Sequence, residues 1–447
     1  MVQSIDTKVL IVGAGFCGRA VAINLNPADY IIIDCGESIS YETILNSKQS
    51  DKTIPPVVGN IPSFNMGYMD ANWQSYVLGG NSNWWGGWTS RISDNILSEW
   101  IDLDTINSFY AKAEKLLNSH GDTESNPNLV GEIPGAQFWK EWGTRYFNKC
   151  QITSETKNFS SDTKGMCLGR GTCRACPENA KTMPSDIKVE NLGVSTKLID
   201  ILIEDGKAYA AIVEDVDGQY QINFEKIVIA AGGFENVAIA KKINSDAGRF
   251  FQDHTSAEIL VKFDRSIPYR KIGAESHLEI DDFKIEYEGI EIKTILLTAE
   301  PSIELLNQSS EDPTIDRNHF GQLWLQIEIP PEWNLELKHK DGQFYVDYTS
   351  YFENLHLIDY AIEELENKIK QKGILVCAKD LAYRRHFGGY HLSGTTMIGK
   401  IVDDNCKMIG VDGIYFAGAS VVPRAGGSGP SLTAVALSLR LGEYLKI

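Results

Sequence analysis

Apolar and polar positions along this chain change pattern three times. Residues 9–12 are consecutively apolar, 19–25 continue as a helix, and 31–33 form a second apolar run, so the start reads as buried strand, helix, buried strand. Residues 104–118 carry a helical pattern, whereas 40–70, with Pro55, Pro56 and Pro62, and 119–137 read as loop. Four runs at 198–203, 208–213, 220–224 and 227–231, with Gly206 and Gly218 in the turns, predict a β-meander whose last strand is wholly apolar. From 256 to 350 the pattern becomes longer alternating strands at 257–263, 283–287, 290–297, 322–328 and 343–348, which predicts a mostly antiparallel sheet. One helix stands out after it: Leu357, Ile358, Ala361, Ile362, Leu365 and Ile369 form a core stripe closed by Gly373. The last sixty residues return to glycine-rich sequence, with a strand at 413–416 and a helix opened by Pro430, whose buried stripe is Leu432, Val435, Leu439 and Leu445.

This order of elements predicts an α/β chain (α+β overall). At 447 residues it exceeds one ordinary core, so two domains are expected: 1–255 with 386–447, and 256–385 inserted between them. A net charge of −18 argues against nucleic acid or an anionic membrane as partner. No stretch approaches 18 consecutive apolar residues. The first strand begins near residue 8, which leaves no room for a signal peptide and points to a cytoplasmic protein. Of the eight cysteines, Cys17 and Cys35 flank the first two strands and read as small, packed, reduced residues.

Candidate chemistry gathers at the glycines. Gly13, Gly15 and Gly18 follow the first strand in G-x-G-x-x-G spacing, and Asp34 ends the second strand sixteen residues after Gly18. In that context the first glycine permits a tight turn, the second lets backbone approach a diphosphate, the third lets helix and strand pack closely, and the acid accepts from ribose hydroxyls. Residues 78–91, LGGNSNWWGGWTSR, hold four glycines and three tryptophans. They read either as a loop packed on its own aromatics or as one wall for a flat bound ring. Cys167, Cys173 and Cys176 lie in C-x5-C-x2-C-P spacing. Zinc and iron–sulfur sites usually want a fourth ligand, for which Cys150 is the nearest candidate, and a compact cysteine-rich loop explains the spacing equally, so no metal is assigned. The free N–H groups of the helix after Pro430 would face an electron-rich group.

Taken together the chain resembles the glucose–methanol–choline (GMC) oxidoreductases, FAD-dependent enzymes that oxidise alcohols. The likeness rests on ordered motifs: VGAGFCG, IIDCG, GGNSNWWGG, the Cys-rich loop ending PENAK, IVIAAGGFEN, GRFFQDH, YHLSGTTMIG and GIYFAGASVVPRAGGSGPSLTAVALSLR. The inserted region, 256–385, matches only in kind. The resemblance implies a Rossmann-like FAD-binding domain of the GMC/glutathione-reductase type beside an antiparallel-sheet substrate domain. It implies FAD held by Gly13, Gly15, Gly18, Asp34, Gly79, Gly80, Asn83, Trp85, Gly86, Gly232, Gly418, Ala419, Gly429, Pro430 and Ser431. That binding would be non-covalent, because no histidine lies in 79–91. It implies hydride transfer from an alcohol of a small polar metabolite (a sugar, aminocyclitol or natural-product intermediate) to flavin N5, with oxygen or another electron acceptor as partner. His391 takes the place of the family's base, a role suited to an imidazole near neutral pH. His386 and His254 are weaker candidates, the latter matching a structural position. Where the family carries a second histidine or asparagine before a proline, this chain has Gly429, flanked by Ser428. Ser428 could then bond a substrate hydroxyl and Tyr390 contact substrate, while Arg424 could bind an acidic substrate group, hold negative charge on the reduced flavin or lie on the surface. A single-histidine oxidation, a partner residue from the inserted region, and a redox-neutral or reductive reaction stay open. So does a retired flavoprotein, against which intact His391 argues.

Overall fold

The computed structural model describes residues 4–38, 75–85, 89–117, 144–147, 182–266, 277–297, 301–309, 319–340, 343–384 and 391–446. Among them two seven-stranded sheets dominate. The first contains β1 (Ser4–Val12), β2 (Tyr30–Ile33), β4 (Leu192–Gly193), β5 (Lys197–Glu204), β6 (Lys207–Asp215), β7 (Gly218–Ile229) and β16 (Ile414–Phe416). The second contains β3 (Thr144–Phe147), β8 (His254–Lys262), β9 (His277–Ile280), β10 (Ile285–Tyr287), β11 (Ile290–Leu297), β12 (Phe320–Glu328) and β15 (Leu375–Asp380). A separate hairpin pairs β13 (Glu336–Lys340) with β14 (Gln343–Asp347). The helices used below are α1 (Phe16–Ala22), α2 (Leu103–Leu117), α3 (Gly232–Lys241), α4 (Leu355–Gln371) and α5 (Ser431–Tyr444).

In the first sheet β1 is central, parallel to β2 on one side and to β7 on the other, and β16 is parallel to the far end of β7. Leu10, Ile11, Ile227, Ile229, Ile414 and Phe416 are wholly buried, which is why these strands read as continuous apolar runs. The runs 220–224 and 227–231, expected as two strands, are one. β1 pairs along all of it, from Ser4 opposite Gln221 to Val12 opposite Ile229, and holds the polar break in line. The other edge of β7 is shared: β6 pairs antiparallel with its first half and β16 parallel with its end. α1 begins at Phe16, directly after Gly15, rather than at residue 19.

The second sheet is antiparallel in the order β15-β8-β12-β11-β9-β3. Its face packs on α4, where Ile358, Ala361, Ile362, Leu365 and Ile369 are buried as the stripe predicted and Leu357 lies at the margin. Burying each of its isoleucine and leucine side chains is worth about 1.5–3 kcal/mol. The run 283–287 opens as a 3-10 turn, with Phe283 in the core, and becomes a strand only at Ile285. Residues 144–147, grouped above with the first domain, pair with β9 in the second sheet, and His254 already opens β8. Among the described residues no helix is long and apolar enough to cross a membrane. No group of three or more His, Cys, Asp or Glu side chains among them is arranged for a metal, and Cys150, Cys167, Cys173 and Cys176 lie outside the described residues.

Candidate active site

Because β1, β7 and β16 are parallel and in register at Val12, Ile229 and Phe416, their carboxyl ends finish at one edge of the sheet. Each is followed by glycine-rich turn: Gly13, Gly232 and Gly418. Ligands of open parallel sheets bind at such an edge. Gly13 has φ +102°, donates its N–H to Ile33 O at 2.7 Å, and a Cβ there would lie 2.3 Å from Ala230 O. A Cβ on Gly18 would lie 1.9 Å from Gly13 O. These two glycines are therefore demanded by packing, as the motif implied. At Gly15 a Cβ would approach Ser82 Oγ (3.0 Å) and Gly79 O (3.4 Å), and Phe16 N–H donates to Ser82 Oγ at 3.2 Å. The 79–85 segment thus sits against the mouth of the glycine turn.

Asp34 links these pieces. Its carboxylate is buried; Oδ2 accepts from Ala14 N (2.8 Å) and Gly79 N (3.3 Å), and Oδ1 from Gly36 N (2.8 Å). Burial raises its pKa, opposed by those amides and by Arg19. In the 79–85 segment Gly79 and Gly80 both have positive φ, +88° and +54°. Asn83 donates from its amide to Leu78 O and Gly80 O, both at 2.9 Å, so it staples its own turn. Trp85 donates to Thr182 O at 2.8 Å and meets Phe16 edge-on at 4.9 Å. Gly86 and Tyr390 lie outside the described residues, as does His386.

Opposite, Gly232 (φ +89°) and Gly418 (φ +118°) face space in which a Cβ would meet nothing within 4 Å. Buried Asn236, which carried no signal beyond its place in the GGFEN run, ties the two turns. Its Oδ1 accepts from Ala231 N at 2.9 Å, and its amide donates to Ala417 O (3.1 Å) and Ser420 Oγ (2.8 Å). Ala419 opens the 3-10 turn after Gly418. α5 follows Pro430 with no side-chain cap, and its first internal bond runs from Ala434 N to Pro430 O at 2.8 Å. The N–H groups of Ser431, Leu432 and Thr433 precede that bond and are the helix's orphan donors. Two unfilled positive-φ glycines, a glycine turn and an uncapped helix N-terminus fit a long anionic dinucleotide such as FAD.

At the junction with the second sheet stands a histidine pair. His391 N–H donates to Asp253 Oδ1 at 2.8 Å, and the same oxygen accepts His254 N–H at 2.7 Å. The two rings approach through their Nδ1 atoms, 3.0 Å apart, at an interplanar angle of 79°. His254 is 2% exposed, and its Nε2 lies 2.6 Å from Gly426 O. Burial pushes its pKa down to about 4, against the Gly426 carbonyl and Glu291, which act the other way. Gln326 completes the group, its amide nitrogen 2.9 Å from His391 Nδ1 and its Oε1 buried with no hydrogen-bond partner among the described residues. The β8–β12 register sets Gln326 opposite Ser256 and Glu328 opposite His254, so alternation presents both acidic and amide side chains on His254's face. A Cβ at Gly429 would stand 3.3 Å from His391 Nε2. His391 thus stands over position 429, at the mouth of α5.

The two residues expected to touch substrate from this segment meet protein partners here. Ser428 is wholly buried and donates its hydroxyl to Arg91 O at 2.9 Å. Arg424 is a half-buried cation between chain segments: it bonds Glu328 Oε1 (2.7 Å) and Oε2 (3.0 Å), Gly289 O (2.8 Å) and Glu99 (3.2 Å). Glu328 is the main cause that holds its guanidinium charged. Glu291, also buried, accepts from Gly427 N at 2.7 Å and pairs with Lys284 at 3.1 Å. Burial raises its pKa, but Lys293 and Lys284 outweigh that and hold it below the usual carboxylate range. Gln326, Glu291 and Glu328 belong to no motif; only the alternation of β11 and β12 hinted that polar residues here face inward.

Comparison with known proteins bears on the same parts of the chain. Residues 363–438 match the GMC oxidoreductase C-terminal family model. A truncated GMC-type inactive oxidoreductase of Acanthamoeba polyphaga mimivirus is 38% identical over 58 residues, 13% of this chain and 72% of that protein. The fold is like that of pyridoxine 4-oxidase from Mesorbium loti, with TM-score 0.63 and 15% identity over 98% of this chain and 99% of the other. It is also like formate oxidase, with TM-score 0.63 and 13% identity over 100% and 99%. With a parallel sheet ending in glycine turns, an antiparallel sheet beside it and the C-terminal motif matched, the chain belongs to the GMC oxidoreductase family, whose members generally bind FAD.

Proposed function

We propose that this oxidoreductase uses non-covalent FAD to oxidise an alcohol group of a small polar metabolite, with His391 Nε2 as the base. The observation that carries the reading is the position of His391, whose Nε2 faces Gly429 at the start of α5. Gly13, Gly15, Gly18, Gly79 and Gly80 would hold the diphosphate; Asp34, through lone pairs its three amide partners leave, the adenosine ribose; Gly232, Gly418, Ala419, Pro430 and Ser431 the ring end. Bound FAD supplies the hydride acceptor at N5. His391 takes the hydroxyl proton, and the α5 N-terminus favours negative charge beside it. The fold likeness to a pyridoxine 4-oxidase and a formate oxidase puts pyridoxine and formate first among compounds to try. Oxygen or another electron acceptor would be the second partner, and the expected address is the cytoplasm.

The test is anaerobic. The purified protein should show flavin absorption, and one member of a panel of pyridoxine, formate, sugars and aminocyclitols should bleach it. His391→Ala should slow bleaching by about 10²–10⁴-fold, the usual worth of a positioned base. A yellow protein that no alcohol bleaches would favour the redox-neutral or reductive reading that Gly429 motivates. A colourless protein that FAD cannot reconstitute would overturn both.

A further inference from the structure

We infer that His254 is a positioning residue that fixes His391 in the Nδ1–H tautomer, leaving the lone pair on Nε2, and that this histidine pair stands in for a second catalytic side chain at position 429. The inference rests on reading His391 as the base, but its test needs neither substrate nor turnover.

The proton positions follow from the acceptors. Gly426 O can only accept, so the 2.6 Å contact requires a proton on His254 Nε2. His254 is buried and stays neutral around pH 7, its pKa being pushed down to about 4, so that proton is its only one. Its Nδ1 therefore presents a lone pair toward His391 Nδ1, 3.0 Å away. Two lone pairs at that distance repel, whereas a proton on His391 Nδ1 makes a hydrogen bond. Neutral His391 then carries its lone pair on Nε2, on the Gly429 side. The amide of Gln326 fits this arrangement when its oxygen faces His391: Oε1, which has no partner among the described residues in the opposite orientation, then becomes a second acceptor for the Nδ1 proton.

The pair is also built to hold its geometry. One carboxylate oxygen, Asp253 Oδ1, accepts the backbone N–H of both histidines and sets their spacing. When Nε2 gains the hydroxyl proton, His391 becomes an imidazolium whose Nδ1–H is already bonded to His254. The proton stays on His391 and His254 receives none, so His254 acts as the neutral counterpart of a carboxylate orienting a histidine base. Position 429 fits the same account. A side chain there would begin 3.3 Å from Nε2 and occupy the space the base opens onto, so glycine leaves that space to the substrate.

The experiment is a long-range ¹H–¹⁵N spectrum of the full-length, FAD-loaded protein with ¹⁵N-labelled histidine, the His391 signals being identified by their loss in His391→Asn. The wild type should show His391 protonated at Nδ1 and not at Nε2. His254→Asn places an amide oxygen where Nδ1 stood and should keep that tautomer. His254→Gln keeps a donor for Gly426 O but has no acceptor toward His391. Its Gln326 amide N–H should then bond Nδ1 and shift the proton to Nε2. Wild-type His391 protonated at Nε2, or a His391 tautomer unchanged in His254→Gln, overturns the inference. A role confined to holding the Gly426 turn predicts the reverse ranking, with Gln conserving the wild-type spectrum and Asn disturbing it. Should both variants fail to fold, the wild-type spectrum decides alone. A panel in which no alcohol bleaches the flavin removes the proposed reaction without touching the tautomer, and a reversed tautomer leaves alcohol oxidation standing.

Discussion

At position 254, burial and the Gly426 carbonyl act on one imidazole in opposite directions, and burial wins. The folded-state pKa, about 4, lies below the ordinary 6.5, so the unfolded chain binds more protons between these values. The resulting stability is present above about pH 6.5 and is lost as pH falls toward 4. For a fully buried group this amounts to about 3 kcal/mol. Thermal unfolding from pH 7 down to 4 should therefore show a steeper loss of Tm in the wild type than in His254→Asn, which has no proton to gain there. Equal slopes would mean that His254 is charged or solvated in the folded protein. The sequence marked this residue as a weaker candidate base in a QDH run that fits a structural position, because nothing local announces that it will face His391.

Among the elements, the glycine turns differ in what their missing side chains serve. At Gly13 a Cβ would strike the Ala230 backbone just past β7, and the residue has φ +102°, so Gly13→Ala should prevent folding or cost well over 4 kcal/mol. Gly232 also has positive φ, but a Cβ would meet no protein atom within 4 Å. Gly232→Ala should thus fold, with a loss of about 1–2 kcal/mol from backbone strain, yet bind FAD more weakly. Denaturation midpoints and FAD titrations of the two variants check this; undiminished FAD affinity in Gly232→Ala would remove that glycine from the cofactor site. The strands behind these turns were legible because a parallel strand buried on both faces is apolar throughout. Their ends were less so. β7 runs through a polar break because eight residues of β1 pair beside it, which no local pattern announces.

For the molecule as a whole, the decisive contacts join the C-terminal glycine segment to the second sheet: Arg424 to Glu328, Gly427 to Glu291, and His391 to His254 and Gln326. Arg424→Met would leave Glu328, 2% exposed at its side chain, buried without its cation. Breaking a buried pair on one side costs about 3–5 kcal/mol. The variant should melt earlier than the wild type, and the deficit should shrink as pH falls, since a lone buried carboxylate regains stability on protonation. A pH-independent deficit would point to lost packing rather than to the uncompensated charge.

The sequence by itself determined the glycine turn, the apolar strands, the amphipathic helix α4 and the place of His391, because each is written in residues a few positions apart. Tertiary structure alone decided what those residues meet. His254 and His391 are 137 residues apart, Gln326 and His391 65, and Arg424 and Glu328 96. Sheet register and the return of the chain bring them together, and burial then fixes their charges and protons. That is why Arg424 and Ser428 read from sequence as substrate contacts, whereas the fold sets Arg424 against Glu328, Ser428 against Arg91 and His254 against His391.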